Sequence, residues 1–188
     1  MQRNVIWSRW DEPGLEHLRL TTAEGGVLAD GLIIGVDEGR PYRARYEVRC
    51  DSAWRVREVQ ITTPGSDSPA LHLLTDGAGR WTTAAGEPLP ALDGCLDVDI
   101  FPTPYTNTLP IRRLEWQRGA SADLAVAWIA LPEMTVQRSP QRYTCLAPLT
   151  SKGGSFRYAS LSSDFTADLP LDTDGLVLDY PGLVRRVV

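Results

Sequence analysis

Residues 93–114 read Asp-Gly-Cys-Leu-Asp-Val-Asp-Ile-Phe-Pro-Thr-Pro-Tyr-Thr-Asn-Thr-Leu-Pro-Ile-Arg-Arg-Leu, and this stretch decides how we interpret the rest of the chain. Three apolar residues alternate with Asp97 and Asp99, which predicts a short strand. The next ten residues include three prolines, which lack the N–H groups that a strand ladder needs. A shaped, irregular loop therefore connects the two carboxylates to Arg112 and Arg113.

The end of this stretch is the one place where a short helix is expected. Asn107 to Leu114 has a candidate cap in Asn107 or Thr108, and Pro110 limits the helix to a turn or two.

Elsewhere the chain alternates apolar and polar residues with a period of two, and a sustained 3.6-residue period is nearly absent. Gly- and Asp-rich turns such as Gly25-Gly26 and Asp76-Gly77 separate the alternating segments. The predicted strands are 17–21, 27–36, 42–50, 54–62, 71–75, 80–83, 124–131, 138–145, 156–161, 164–171 and 176–180. So many strands with so little helix predict an all-β fold, in which one antiparallel sheet is long enough to curl on itself. We expect a single domain over residues 1–188.

The segment from Trp54 to Thr62 changes phase partway along. Trp54 and Val56 fall on one face, whereas Val59 and Ile61 fall on the other. A β-bulge near Arg57-Glu58 explains this change. The alternative is that Arg55 and Arg57 lie on an apolar inner wall, where they would suit a polar ligand head group.

Bulk properties exclude several classes of function. The net charge of −5 argues against nucleic-acid binding and against adsorption to an anionic bilayer by charge alone. The longest apolar run, Leu124 to Leu131, is far shorter than the roughly 20 residues of a spanning helix, so stable membrane insertion is not expected. The N-terminus lacks the apolar run of a secretory signal, so we expect a cytoplasmic protein. Nothing indicates the oligomeric state.

Cysteines and histidines give no indication of a metal or a cofactor. Cys50, Cys95 and Cys145 are widely spaced and odd in number, which favours buried free thiols in a reducing compartment. His17 and His72 have no second ligand at a suitable spacing. The chain also lacks a nucleophile elbow and a glycine-rich phosphate loop. We therefore expect no cofactor, and catalysis has no visible centre.

Aromatic residues and the aspartate pair remain as candidate ligand groups. Six tryptophans and six tyrosines could stack on sugar rings or line a lipid cavity, although they are also ordinary strand residues. Asp97 and Asp99 lie about 7 Å apart on one strand face, given a rise of about 3.4 Å per residue. They could act as an acid–base pair or hold a divalent metal, or they could simply form ion pairs with Arg112, Arg113 or an arginine of a neighbouring strand.

The central stretch resembles the signature of the bacterial "putative glycolipid-binding" family. The resemblance is carried by Gly94-Cys95-Leu96-Asp97-Val98-Asp99, Phe101-Pro102-Thr103-Pro104 and Thr106-Asn107-Thr108-Leu109-Pro110-Ile111-Arg112-Arg113-Leu114. It extends to Trp7-Ser8-Arg9-Trp10, Tyr46-Glu47-Val48-Arg49-Cys50-Asp51, Trp54-Arg55, Gln141-Arg142-Tyr143-Thr144, Phe165-Thr166-Ala167-Asp168-Leu169 and Asp179-Tyr180-Pro181-Gly182-Leu183. The resemblance implies a strongly curved antiparallel half-barrel, similar in outline to the carriers that ferry lipoproteins across the bacterial periplasm.

Together these observations predict a non-catalytic binding or carrier protein for a glycolipid or related amphiphile. The candidate ligand-binding residues are Asp97, Asp99, Thr106, Asn107, Thr108, Arg112, Arg113, Trp54, Arg55 and Tyr143. The chain of the amphiphile would lie along a concave apolar wall, with its polar head near the loop. Two alternatives remain open: an enzyme acting on a glycan or lipid, with Asp97 and Asp99 as acid and base and Arg112 as an anion clamp, and a scaffold whose cleft binds a protein segment.

Overall fold

Strands account for 59% of the residues and helix for 7% in the computed structural model, which describes residues 1–65 and 70–188. This composition confirms the predicted all-β class. The strands are β1 (Gln2–Arg9), β2 (Gly14–Ala23), β3 (Gly26–Asp37), β4 (Arg40–Cys50), β5 (Val56–Thr62), β6 (Leu71–Thr75), β7 (Trp81–Thr83), β8 (Asp97–Phe101), β9 (Ser121–Ala130), β10 (Thr135–Thr150), β11 (Gly153–Ser160), β12 (Thr166–Leu171), β13 (Asp179–Tyr180) and β14 (Val184–Arg186). One short helix, α1 (Thr108–Arg113), follows β8.

The strands form two sheets that meet at one edge. The first has the order β13-β14-β1-β2-β3-β4-β5-β6-β7, and the second, which curls strongly into a half-barrel, has the order β12-β11-β10-β9-β8. Backbone hydrogen bonds join β12 to the segment before β13: Asp172 N donates to Leu176 O at 2.9 Å, and Leu178 N donates to Pro170 O at 2.8 Å. The strand order is therefore nearly continuous, as the predicted curled sheet requires.

One strand pair departs from the antiparallel pattern. β8 and β9 run parallel, with Asp99 opposite Trp128. Parallel neighbours need a crossover of a dozen or more residues, usually with a helix, and residues 102–120 with α1 provide it. The alternation within each strand predicted the strands but could not indicate this direction.

The expected phase change in β5 is a β-bulge. Arg49 pairs with Glu58 whereas Cys50 pairs with Val56, so Arg57 is the extra residue. The predicted strand began too early, because β5 starts at Val56. The preceding turn is held by the Asp51 carboxylate, which accepts hydrogen bonds from two backbone N–H groups.

The N-terminal segment is a central strand, although the alternation did not identify it. β1 lies between β14 and β2 and buries Trp7 completely. The indole N–H of Trp7 donates to Val177 O at 2.8 Å, which ties β1 to the segment joining the two sheets. Tyr46, Trp81 and Phe156 are also among the largest fully buried side chains of the core. No helix among the described residues is both long and apolar enough to cross a bilayer.

Candidate functional site

A cavity of about 510 Å³ remains where the core side chains do not fill the half-barrel. Its wall comes from strands β8, β9, β10, β11 and β13 and from the end of β1. The loop after β8, the turn after β11 and the turn between β13 and β14 complete it. The volume lies within the range of roughly 300–1,000 Å³ that is typical of small-molecule sites.

One side of the cavity is a row of three side chains on neighbouring strands, with polar groups at both ends. Asp99 on β8 pairs in register with Trp128 on β9, and Trp128 pairs with Gln137 on β10. The Asp99 carboxylate accepts hydrogen bonds from Thr106 Oγ1 at 3.1 Å and from Gln141 Nε2 at 2.6 Å. Burial raises the pKa of Asp99, and these two hydrogen bonds oppose the increase. Each oxygen keeps a second lone pair, so the carboxyl can also accept from a ligand hydroxyl.

An aromatic cluster forms another part of the wall. Tyr158, Phe165 and Tyr180 lie with their ring centroids 6.1–6.2 Å apart. Tyr158 and Tyr180 are buried, whereas Phe165 is 46% exposed at the rim. Tyr143 packs edge-on behind Tyr158 at 5.6 Å. Such rings present flat apolar faces with polar edges, which suits contact with a sugar ring.

The loop that the sequence singled out contributes both to the cavity wall and to its support. Asn107 lines the cavity: its Oδ1 accepts from the Tyr143 hydroxyl at 2.9 Å, and its Nδ2 donates to Pro104 O at 3.2 Å. Because its side chain is engaged there, it forms no cap on α1. Thr106 holds Asp99 and also accepts from the backbone N–H of Ile100. Of the candidate residues, Asp99 and Asn107 therefore line the cavity, and Thr106 and Tyr143 support them.

Asp97 and Arg113 form a buried ion pair away from the cavity. Arg113 Nε and Nη2 donate to the two Asp97 carboxylate oxygens at 3.0 and 2.6 Å. The Arg113 side chain is 10% exposed and the Asp97 side chain 1%. Burial raises the pKa of Asp97, although the pair with Arg113 opposes the increase. The two aspartates therefore do not share one cavity, which removes the geometric basis for an acid–base pair.

The remaining candidate residues lie elsewhere. Arg112 is exposed and stacks over the Trp54 ring at 5.0 Å. Thr108 is buried and donates to Gly175 O at 2.8 Å. Arg55 lines a shallow surface depression beside Arg113. None of these four side chains lines the cavity.

Next to the cavity lies a buried carboxyl group, Glu16, which the sequence analysis did not name as a candidate. Glu16 Oε1 accepts from the Tyr46 hydroxyl at 2.5 Å and from Thr103 Oγ1 at 2.6 Å, and Thr103 lines the cavity. Glu16 is only 4% exposed, and burial raises its pKa to about 7 while the two hydrogen bonds lower it. The alternation along β2 could have indicated its burial, because Glu16 lies on the same face of the strand as the core residues Leu18 and Leu20.

Arg9 also lines the cavity and was not a candidate. Its guanidinium carbon lies 5.9 Å from the Phe101 ring centroid, and its Nη2 donates to Glu12 at 3.0 Å. A Cβ on Gly14 would come within 2.9 Å of the Arg9 stem, so the glycine leaves the room in which this stem lies. The Nε of Arg9 is buried and has no hydrogen-bond partner among the described residues.

A second, more open groove of about 620 Å³ lies at the hairpin end of β3 and β4, where β3 ends and β4 begins. It is lined mainly by apolar side chains, including Ile34, Pro64, Pro132 and Met134. A small depression between β1 and β3 separates it from the cavity. That depression shares Arg9 and Pro102 with the cavity and Ile34 with the groove.

Comparisons with known proteins identify a family and a protein of similar structure. The family model described as "Putative glycolipid-binding" matches residues 4–186. A crystal structure of a DUF1089 family protein from Pseudomonas aeruginosa is similar, with 39% sequence identity and a TM-score of 0.80. The match covers 96% of this chain and 92% of that chain. No curated protein matches the chain.

Proposed function

Because the chain belongs to the family described as "Putative glycolipid-binding", we propose that it is a non-catalytic binding protein for a glycolipid or related sugar-bearing amphiphile, whose sugar occupies the cavity beside Asp99. A carrier role would follow if the complex dissociates at an acceptor. The observation that carries the proposal is the combination, in one cavity, of an aromatic cluster with the half-buried Asp99 carboxyl and the Asn107 amide.

Each part of the wall matches a part of a sugar. Sugar hydroxyls donate hydrogen bonds, which the Asp99 carboxyl and the Asn107 carbonyl can accept. The C–H face of a pyranose is apolar and can lie against Phe165 or Tyr158. Ser139 and Ser160 add hydroxyls that both donate and accept. A purely aliphatic ligand would cover the serine hydroxyls and the remaining lone pairs of Asp99 without forming hydrogen bonds to them, which costs free energy.

Free cysteines support a cytoplasmic location as part of this proposal. All three are buried and unbridged, as predicted from their spacing, and free thiols are usual in a reducing compartment. Fractionation of the host cell, with detection of the protein by antibody, tests this location. Recovery in a periplasmic or secreted fraction would contradict it.

The binding proposal is tested with alkyl glycosides and one matched pair of variants. Octyl glucoside, octyl galactoside and octyl mannoside, below their micellar concentrations, are titrated by calorimetry. Phe165→Ala should weaken binding of the preferred glycoside about 3- to 10-fold, because it removes an aromatic contact. Trp10→Ala is the control, since Trp10 is similarly exposed, at 43%, but does not line the cavity.

Two results would overturn the proposal. One is the absence of saturable binding for every glycoside, together with no co-purified lipid in native mass spectra of protein from its own host. The other is saturable binding that Trp10→Ala weakens and Phe165→Ala does not.

A further inference from the structure

The cavity, the small depression and the apolar groove are connected through shared residues: Arg9 and Pro102 line both the cavity and the depression, and Ile34 lines both the depression and the groove. The cavity is polar and aromatic, whereas the groove is lined mostly by proline and aliphatic side chains. Leu15 and Ile34, paired across β2 and β3, are 52% and 56% exposed along the path between them. Arg9 therefore lies where the polar cavity opens into the depression that leads to the apolar groove, and the groove itself contains one further cation, Arg43.

Arg9 is held in place before any ligand arrives. Its stem lies in the space left by Gly14, and its guanidinium lies over Phe101 at 5.9 Å. A guanidinium whose rotamers are already restricted loses less entropy when it binds an anion. Its buried Nε has no partner within residues 1–65 and 70–188, so an inward-facing donor is unused.

The charged groups near this junction leave Arg9 available to an anion. Among the described residues that line the cavity, Arg9 alone is basic and Asp99 alone is acidic. Glu12 pairs with Arg9, but its side chain is 51% exposed, so water screens this pair and the pair is weak. Glu16 also lines the depression, but its carboxyl is engaged by Tyr46 and Thr103 rather than by Arg9.

We propose that the ligand is a sugar joined through a phosphate to an apolar chain, with the sugar in the cavity, the phosphate on Arg9 and the chain along the groove past Ile34. This inference rests on the proposed function and specifies its ligand class. A planar guanidinium matches phosphate oxygens in a bidentate geometry, and a phosphodiester is the group that lies between a polar head and an apolar tail in such a molecule.

The first test compares probes that differ only in the phosphate. For glucose, galactose and mannose, binding of the octyl glycosyl phosphodiester is measured against the octyl glycoside and the hexose 1-phosphate. We expect the diester to bind at least tenfold more tightly than the glycoside with the same sugar, because a charge-assisted hydrogen bond is added. Arg9→Gln should abolish that difference, so that the diester binds no more tightly than the glycoside with the same sugar. Arg9→Lys should keep part of it.

Matched controls separate binding from folding. Arg112→Gln removes an exposed arginine outside the cavity and should change neither affinity. Melting temperatures of all variants are measured alongside. For the chain, Ile34→Ser should weaken both octyl probes but not the hexose 1-phosphate. Leu32→Ser, two residues away on β3 and outside both cavity and groove, should weaken none of them.

The outcomes distinguish this inference from the proposed function. If glycosides bind and the phosphate adds nothing, or if Arg9→Gln weakens both probes equally, the phosphate assignment is wrong and sugar binding stands. If octyl phosphate alone binds as tightly as the diester, the sugar is not recognised and both fall. If no sugar-bearing probe binds, the proposed function fails first.

Discussion

Glu16→Gln should make the protein's stability depend less on pH. Both short hydrogen bonds to Glu16, from Tyr46 and Thr103, end on Oε1, so the carbonyl oxygen of glutamine can accept both. The substitution therefore removes the titration while preserving the packing. The folded carboxyl has a pKa of about 7 against an ordinary value of 4.5, because burial disfavours its charged form.

The sign and size follow from proton linkage. Between pH 4.5 and 7 the folded state holds a proton that the unfolded state has lost, so the stabilising contribution of Glu16 is complete below pH 4.5 and is lost as the pH rises through 7. A difference of about 2.5 pH units corresponds to about 3 kcal/mol in total. Between pH 5 and pH 8, the unfolding free energy of the Gln variant should rise by about 2.5 kcal/mol relative to wild type.

Urea unfolding at pH 5, 6, 7 and 8 measures this difference directly, since titrations common to both proteins cancel. Glu12→Gln is the control, because it removes a half-exposed carboxyl near the same end of the sheet. It shows how far the loss of one carboxyl alone changes the free energy of unfolding. A difference between Glu16→Gln and wild type that stays constant from pH 5 to pH 8 would refute the reasoning. It would mean that Glu16 is ionised throughout this range and that water or a cation reaches it.

Two further predictions concern the core. Asp97→Ala leaves the buried Arg113 guanidinium without its partner and should lower the free energy of unfolding by about 3–5 kcal/mol. Arg112→Ala removes only an exposed cation–π contact and should lower it by at most about 1 kcal/mol. Equal losses for the two variants in chemical denaturation would contradict this prediction. Cys50, Cys95 and Cys145 are buried free thiols. Thiol titration should therefore detect three groups after denaturation and almost none before it. A count of one after denaturation would reveal a disulfide.

Much of the fold could be predicted because strand periodicity is a local property. In β4, Ala44, Tyr46 and Val48 are buried and alternate with outward arginines, as expected. The bulge at Arg57 could also be located, because an extra residue inverts the alternation. β1 was missed because the outer half of the strand, from Gln2 to Asn4, is exposed and shows no alternation.

The site was harder to predict because it depends on which strands become neighbours. Asp99 and Gln141 are far apart in the sequence, yet they form a 2.6 Å hydrogen bond in the sheet in which β8, β9 and β10 are neighbours. The conspicuous arginines were misleading for a related reason: two adjacent residues on a short helix point in different directions, so Arg113 reaches the buried Asp97 and Arg112 stacks on the surface. Arg9 gave no local signal, since its position depends on the space left by Gly14.

The cavity itself follows from a change of side-chain size along two neighbouring strands. On β10, the inward positions from Tyr143 to Cys145 are filled by buried residues, whereas Ser139, in the same phase, lines the cavity. On β11, buried Phe156 gives way to Ser160 in the same way. The half-barrel is thus packed at one end and open at the other, and the small residues at the open end are hydroxyl-bearing rather than aliphatic. Water reaches the half-exposed hydroxyls at this end, and a bound sugar would replace those water contacts with hydrogen bonds of its own. An aliphatic ligand would cover the same hydroxyls without replacing the lost hydrogen bonds, which costs free energy. The serines at this end therefore suit a polar ligand better than an apolar one.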